Sequence, residues 1–177
     1  MISIRPVVLP IPGLQALTDE AAAEDFEFLD RLIDEWQSGA NRFDGPGETL
    51  LGVFHEDTLV GIGGLNRDPF LGNPAVGRIR RIYIRAAWRN FGVGTDLVTA
   101  LLARAQENFE QVRLRAVNPS AGRLYERLGF QPIDDAHATH ALILNPRSQQ
   151  KKLTHPLCLQ ACASGSSTLA KSPSASR

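Results

Sequence analysis

The stretch AAWRNFGVGTDLV, residues 86–98, places an arginine three residues ahead of the first of two spaced glycines and then starts an apolar helical repeat. It follows an alternating, strand-like segment, VGRIRRIYIRA, at residues 76–86. Glycines let a backbone approach a ligand closely, and the free N–H groups at a helix start favour an anion. The stretch is therefore compatible with a phosphate-binding loop, and equally with a tight turn that begins a helix.

Two familiar phosphate-binding motifs fail on spacing. A dinucleotide fingerprint requires a third glycine three residues after the second, where this sequence has Leu97. The Gly-Lys-Ser/Thr triplet of a P-loop occurs nowhere in the chain. A nucleotide-binding protein that uses this loop is therefore a disfavoured alternative.

The periodicity of apolar residues predicts a mixed α/β domain. Spacings of three and four indicate amphipathic helices over residues 19–37, about 92–108 and 118–130. Runs of alternating or β-branched residues indicate strands over residues 2–9, 76–86, 112–117, 130–133 and 137–144, with a hairpin over 49–65 that turns at Glu56-Asp57. The expected order is β-α-β-β-β-α-β-α-β, a mixed sheet with helices packed on it.

Two of these segments carry more specific expectations. Strict alternation along residues 76–86 predicts that Ile79 and Tyr83 share one face of the strand, with Ile82 and Ile84 on the other. In the last helix, an asparagine suits the N-cap, a proline suits the first helical position, and a glycine suits the position past its end; these are Asn118, Pro119 and Gly129.

Two motifs in this order resemble those of the GNAT superfamily of N-acetyltransferases. The first family motif, Q/R-x-x-G-x-G/A, is matched by Arg89, Gly92 and Gly94. The second, an Asn followed by Ala, Tyr and Gly-Phe, is matched by Asn118, Ala121, Tyr125, Gly129 and Phe130. The resemblance covers about residues 1–145 and implies a GNAT-type acyl-CoA N-acyltransferase fold, an α/β architecture with a central mixed sheet and helices on both faces.

The resemblance also implies roles for individual residues. Acetyl-CoA would be the cosubstrate, with its pyrophosphate on the loop amides and its pantetheine arm along the preceding strand. An N–H near Ile84 would polarise the thioester carbonyl, and Tyr125 would protonate the departing thiolate. The implied cofactor-binding set is Ile82, Tyr83, Ile84, Arg89, Asn90, Phe91, Gly92, Val93, Gly94, Thr95 and Asn118. Helical spacing alone would instead make Tyr125 a core residue and Asn118 only a cap.

The general base has no clear candidate. Many members of the superfamily carry a glutamate on the fourth strand, whereas the comparable position here is Arg78. Glu48, Glu56 and Asp68 lie near in the expected topology, but each is better explained as an ordinary surface acid. The arginines of this strand and of the loop after it, at 78, 80, 81, 85 and 89, would supply positive potential near the phosphates or would simply be solvated.

Composition divides the chain into a domain, residues 1–146, and a Ser/Ala/Lys-rich tail, residues 147–177. The domain carries 14 arginines and 19 acidic residues, a formal charge of −5 that argues against general nucleic-acid binding. The tail holds five basic residues, including all three lysines, and no acid. Its low hydrophobicity predicts disorder.

Cysteine usage and hydropathy point to a cytoplasmic protein without disulfides. Cys158 and Cys162 both lie in the tail, and with His155 they make an incomplete set of metal ligands, so no metal is expected. The separation of His137 and His140 puts them on opposite faces of a strand. No apolar run reaches the roughly 20 residues of a membrane span, and no signal peptide is apparent at the N-terminus.

The function indicated is transfer of an acetyl group from acetyl-CoA to a primary amine of a small molecule or a peptide by direct attack, in a monomer or a homodimer. The alternative is a non-catalytic acyl-CoA-binding regulatory module of the same fold. Eight acids crowd residues 19–35 against a single arginine, Arg31. They are typical of a solvated helix face, and would otherwise favour a cationic acceptor.

Overall fold

Seven strands pair into one open sheet in the computed structural model, which describes residues 1–144. The strands are β1 (Ile2–Pro6), β2 (Thr49–His55), β3 (Thr58–Arg67), β4 (Val76–Ile84), β5 (Gln111–Leu114), β6 (Gln131–Pro132) and β7 (His140–Ile143). The helices are α1 (Leu14–Ala23), α2 (Phe28–Ser38), α3 (Val93–Asn108) and α4 (Pro119–Arg127). The predicted tail, with its His155, Cys158 and Cys162, lies outside the described residues.

The sheet is mixed, as predicted from the order of elements. Its strands lie in the order β1-β2-β3-β4-β5-β7-β6, and every neighbouring pair is antiparallel except β4 and β5. One core lies between the sheet and α3 and α4, around the fully buried Leu97 and Leu101. A second core lies on the opposite face, under α1 and α2, around Leu29 and Leu32. Helices therefore cover both faces, and none of those described is long and apolar enough to cross a membrane.

The prediction of one helix over residues 19–37 is wrong, because the chain forms two helices there. The backbone of Asp25 adopts a left-handed conformation, with φ of 63°, that ends α1. The N–H of Phe26 then donates back to the carbonyl of Ala21 at 2.9 Å, and α2 starts at Phe28. Apolar spacing continued through this break because apolar residues on both sides of it, such as Ala21 and Leu29, pack in the same core.

The predicted ends of α4 and the β2–β3 turn are confirmed. The Asn118 side chain accepts a hydrogen bond from the N–H of Ala121 at 2.9 Å, which is N-cap geometry. Gly129 has φ of 94°, the left-handed conformation that favours glycine just past a helix end. Glu56 turns the hairpin with φ of 55°.

A bulge interrupts β4, so the prediction of strict alternation along this strand is wrong. Tyr83 pairs with Ile62 of β3, but Arg80 pairs with Gly64, which leaves two β4 residues opposite a single β3 residue. The extra residue is accommodated at Arg81, where φ is 62°. A bulge of this kind shifts every following side chain to the other face of the strand.

The bulge sets the faces of the last four residues of β4. Ile82 and Ile84 pack in the core under α3 together with Ile79, which alternation had placed opposite them. Tyr83 packs in the core under α1 and α2. The end of β4 therefore offers an apolar side to α3 and an aromatic ring to α1 and α2.

The two central strands are joined over a short distance only. β4 pairs with β5 from Val76 to Arg78, and the paired residues Arg78 and Arg113 lie directly opposite each other. The buried carboxylate of Asp68 lies between them, at 3.5 Å from the guanidinium of Arg78 and 3.4 Å from that of Arg113. One carboxylate thus holds two like charges together at the last paired position.

Replacing Asp68 by asparagine is expected to lower the free energy of unfolding by about 3–5 kcal/mol, because it removes the carboxylate partner of the buried Arg78 and leaves the buried Arg113 with Asp135 alone. The control is Glu27→Gln, which removes an exposed ion pair with Arg31 and is expected to cost less than about 1 kcal/mol. Urea unfolding of both variants measures the difference. Equal stabilities for the two variants would contradict this role of Asp68.

Candidate active site

A cleft of about 650 Å³ opens where β4 and β5 part. Beyond Arg78, β4 has no β5 partner within residues 1–144, and the start of α3 and the exposed side of α4 flank the gap. The cleft brings together ten of the twelve residues of the predicted site: Ile82, Tyr83, Ile84, Arg89, Asn90, Gly92, Gly94, Thr95, Asn118 and Tyr125. The side chains of the other two residues do not line the cleft. Phe91 is 78% exposed, and Val93, the first residue of α3, is buried in the core.

The free edge of β4 presents backbone groups to this cleft. The N–H of Arg85 donates to the carbonyl of Val60 at 2.9 Å, so at this position β4 is bonded to β3. Hydrogen-bonding direction alternates along an antiparallel strand, so the N–H groups of Ile84 and Ile82 point away from β3 and into the gap. The backbone of Tyr83 points to β3, and this residue contributes its ring to the cleft.

The N-terminus of α3 also faces the cleft. Gly92 occupies the N-cap with φ of 83°, and the helix start has no side-chain cap. The N–H groups of Val93, Gly94 and Thr95 precede the first intrahelical donor, which is Asp96 bonded to the carbonyl of Gly92. A Cβ atom on Gly94 would make only ordinary contacts within the protein, so the absence of a side chain there leaves room in the cleft.

The side chain of Arg89 is committed within the protein. Its Nε donates to the carbonyl of Ile84 at 2.8 Å, and its two terminal nitrogens donate to the carboxylate of Glu24 at 2.7 and 2.8 Å. The hydrogen bonds from Arg89 lower the pKa of Glu24, and those to Glu24 raise the pKa of Arg89. The guanidinium is therefore held by a carboxylate of α1 rather than left free for a phosphate.

The other arginines of this region are neutralised in the same way. Arg85 pairs with Glu20 at 2.7 Å, and Glu35 pairs with both Arg81, at 2.6 Å, and Arg80, at 3.3 Å. The acidic residues of α1 and α2 that make these contacts are therefore not part of a solvated helix face. Because each of the predicted basic side chains has an acidic partner, the expected positive potential along β4 is largely cancelled.

Tyr125 lines the cleft from α4 with its side chain almost fully buried. Its ring packs edge-on against Phe130, with ring centroids 5.9 Å apart. The hydroxyl makes no hydrogen bond to any residue that the structure describes, and burial raises the pKa of Tyr125 to about 12. The phenol is thus protonated at neutral pH and free to donate a proton into the cleft.

None of the acids considered as a base from the sequence lines the cleft. The carboxylate of Glu48 accepts from the backbone N–H of Arg67 at 2.9 Å, Glu56 lies in the exposed β2–β3 turn, and Asp68 is held between its arginines. Within the part of the chain that the structure describes, Glu24 is the only acid that lines the cleft, and its sequence pattern did not single it out. Its spacing of four from Glu20 puts both on one helix face, but only the fold shows that this face meets β4.

The described residues contain no group of three potential metal ligands. His140 is buried and lies 2.8 Å from the hydroxyl of Thr139 through Nδ1, while the ring of His137 stacks on Phe70. Each histidine is therefore engaged by a neighbouring side chain of the protein.

Comparisons with known proteins identify the class. The model of the acetyltransferase (GNAT) family matches residues 14–130. A proposed acetyltransferase from Exiguobacterium sp. 255-15 is similar in structure, with a TM-score of 0.72, 21% identity, and coverage of 88% of this chain and 99% of that one. Glucosamine-6-phosphate N-acetyltransferase from Arabidopsis thaliana gives a TM-score of 0.55 and 14% identity, over 78% of this chain and 97% of that one. The comparison with curated proteins finds no match.

The fold and the family match define an acyltransferase. The chain belongs to the GNAT family of acetyltransferases.

The ion pair between Glu24 and Arg89 is expected to make stability depend on pH. The pKa of Glu24 lies below its ordinary value of 4.5 in the folded state, so the pair contributes stability above pH 4.5 and loses it as the pH falls through the folded-state pKa. Glu24→Gln should therefore be less stable than the unmodified protein at pH 7, by a margin that shrinks below pH 4.5. Urea unfolding at pH 7 and pH 3.5 measures this margin, and a constant margin would contradict the prediction.

Proposed function

We propose that this acyltransferase moves the acetyl group of acetyl-CoA to a primary amine of a small molecule or a peptide by direct attack. The observation that carries the proposal is that three features open into one cleft: the uncapped start of α3, the free edge of β4 and the phenol of Tyr125. The acetyltransferase family match and a structural neighbour that is an N-acetyltransferase support it.

The cleft fits the successive parts of the cosubstrate. The first-turn N–H groups of α3 would hold the pyrophosphate, because they combine free donors with the positive end of the helix dipole. The edge groups of Ile82 would bind the pantetheine arm, since the carbonyl of Ile84 already accepts from Arg89, and Asn118 at the start of α4 would flank the arm. Phe91 and Val93 would contribute through backbone N–H groups only.

The residues of the cleft would have separate roles in the reaction. Acetyl-CoA supplies the thioester. The N–H of Ile84 would polarise the thioester carbonyl as a donor of an oxyanion hole. The amine nitrogen forms a bond to the carbonyl carbon, the carbon–sulfur bond breaks with its electron pair left on sulfur, and Tyr125 gives that sulfur its proton. The nitrogen loses one proton to solvent, and Tyr125 regains one from solvent, so that charge and protons balance.

Among residues 1–144, the lining of the cleft offers no uncommitted carboxylate to act as the base. Arg78 occupies the position where many members of the family have a glutamate, and Glu24 is held by Arg89. We infer that the amine reacts from its neutral fraction and that positioning on the strand edge supplies most of the rate enhancement. Location in the cytoplasm, and a monomeric or homodimeric state, stay predictions.

Reaction of the neutral amine gives a pH dependence with a definite sign. Below the pKa of the amine, kcat/KM should rise about tenfold for each pH unit, because the neutral fraction rises by that factor. No falling limb should follow below pH 10, because the pKa of Tyr125 is about 12 and the acid stays protonated. Steady-state rates of thiol release from pH 6 to 10 measure the profile, and a plateau near pH 7 would indicate a protein base instead.

Replacing Tyr125 by phenylalanine removes the proton donor and keeps the ring. Thiol release should fall roughly a hundredfold to ten-thousandfold, the usual contribution of a general acid. Binding of coenzyme A, measured by the rise in melting temperature, should persist because the α3 amides and the β4 edge are untouched. Unchanged thiol release would mean that Tyr125 is only a core residue.

The same assay tests the alternative of a regulatory module. Binding of coenzyme A without thiol release for any amine would favour that module. The absence of any coenzyme A binding would contradict both functions.

A further inference from the structure

The cleft has a second end, on the side of the sheet that α1 and α2 cover. It is lined there by Glu24, Phe26 and Phe28 from the α1–α2 junction and by Tyr83 from β4. This end adjoins the loop before α3, because the carboxylate of Glu24 there holds the guanidinium of Arg89. An acceptor that meets the thioester from the side of α1 and α2 would contact these four residues.

Three aromatic rings form most of this end. The ring centroids of Phe26 and Phe28 are 5.5 Å apart, and that of Tyr83 lies 6.4 and 6.3 Å from them. Tyr83 is buried, and its hydroxyl donates to Glu24 at 2.8 Å. Phe26 and Phe28 are half-buried, so parts of both rings remain exposed toward the cleft. The surface they offer is apolar and is held in place by ring–ring packing.

The negative charge of Glu24 at this end of the cleft is already compensated by Arg89. Both oxygens of Glu24 accept hydrogen bonds from Arg89, and one accepts another from Tyr83. The remaining charged residue that lines the cleft is Arg127. A second ammonium group on an acceptor would therefore find no free carboxylate among the described residues that line the cleft, although it would lose part of its hydration on entry.

We propose that the acceptor is a primary amine carried on an apolar, ring-sized group that packs against Phe26 and Phe28, and that polyamines are poor acceptors. This inference rests on the proposed function, because it concerns the acceptor of the same reaction. The neutral amine nitrogen attacks as described above, while the apolar group stays on the aromatic surface. Glu24, the acid that lines the cleft among the described residues, does not recruit cations, because its charge is taken up by Arg89.

Two matched pairs of amines test the proposal with acetyl-CoA as the donor. 2-Phenylethylamine and ethylamine differ by the ring, and n-butylamine and 1,4-diaminobutane differ by a second amino group. From thiol release, kcat/KM should be roughly tenfold to two-hundredfold higher for phenylethylamine than for ethylamine, the range typical of an apolar pocket. Butylamine should exceed diaminobutane at least tenfold.

Variants of Phe28 test whether the aromatic surface causes the preference for an amine that carries a ring. Phe28→Ala should bring the ratio of phenylethylamine to ethylamine close to one and leave the KM for acetyl-CoA unchanged. Phe28→Leu, which preserves more of the packing, should reduce the ratio partially and serves if the alanine variant does not fold. The control is Phe70→Ala, at a half-exposed phenylalanine outside the cleft lining, which should keep the full ratio.

The outcomes separate this inference from the proposed function. Thiol release in which diaminobutane equals or exceeds butylamine, or in which the ring makes no difference, would overturn the inference and leave acetyl transfer to amines in place. A ring preference that survives in both Phe28 variants would also overturn it. Coenzyme A binding without thiol release for any of the four amines would overturn both.

Discussion

The carboxylate of Asp68 holds together the last paired position of β4 and β5. At that position Arg78 and Arg113 face each other across a parallel pair, where like charges repel unless an anion lies between them. Because the strands are fixed firmly there, they can part beyond it without loss of the sheet. The cleft, the free strand edge and the entry to both faces of the sheet all follow from pairing that is short and strongly anchored.

Much of the cleft could be predicted from sequence, because its requirements are local. Gly92 is needed for a left-handed backbone at the start of α3, and Asn118 caps α4 through its own side chain. Such constraints act within a few residues, so they leave motifs with fixed spacing. The two motifs then indicated the family, and with it the mixed sheet with helices on both faces, which the structure confirms.

The missed features depend on contacts between distant segments. Periodicity treats a strand as regular, so it could not reveal the bulge at Arg81, which is set by pairing with β3. The apolar spacing likewise continues past Asp25, so it did not indicate that α1 ends there. The prediction that these charged residues are solvated failed for the same reason. Glu24 and Arg89 are 65 residues apart in sequence, so nothing local to either residue indicates that the fold pairs them. The end of the cleft that Phe26, Phe28 and Tyr83 line is built at these junctions, so the two motifs did not indicate it.

The open half of β4 has one more consequence. An unpaired strand edge offers a row of donors and acceptors on which a strand from another molecule can assemble. Here the bulge at Arg81 breaks the row, and the Nε of Arg89 occupies the carbonyl of Ile84. What remains is a short, interrupted set of groups that suits a thin, flexible arm better than a polypeptide. The bulge and Arg89 thus leave this edge few aligned groups with which a strand of another molecule could pair.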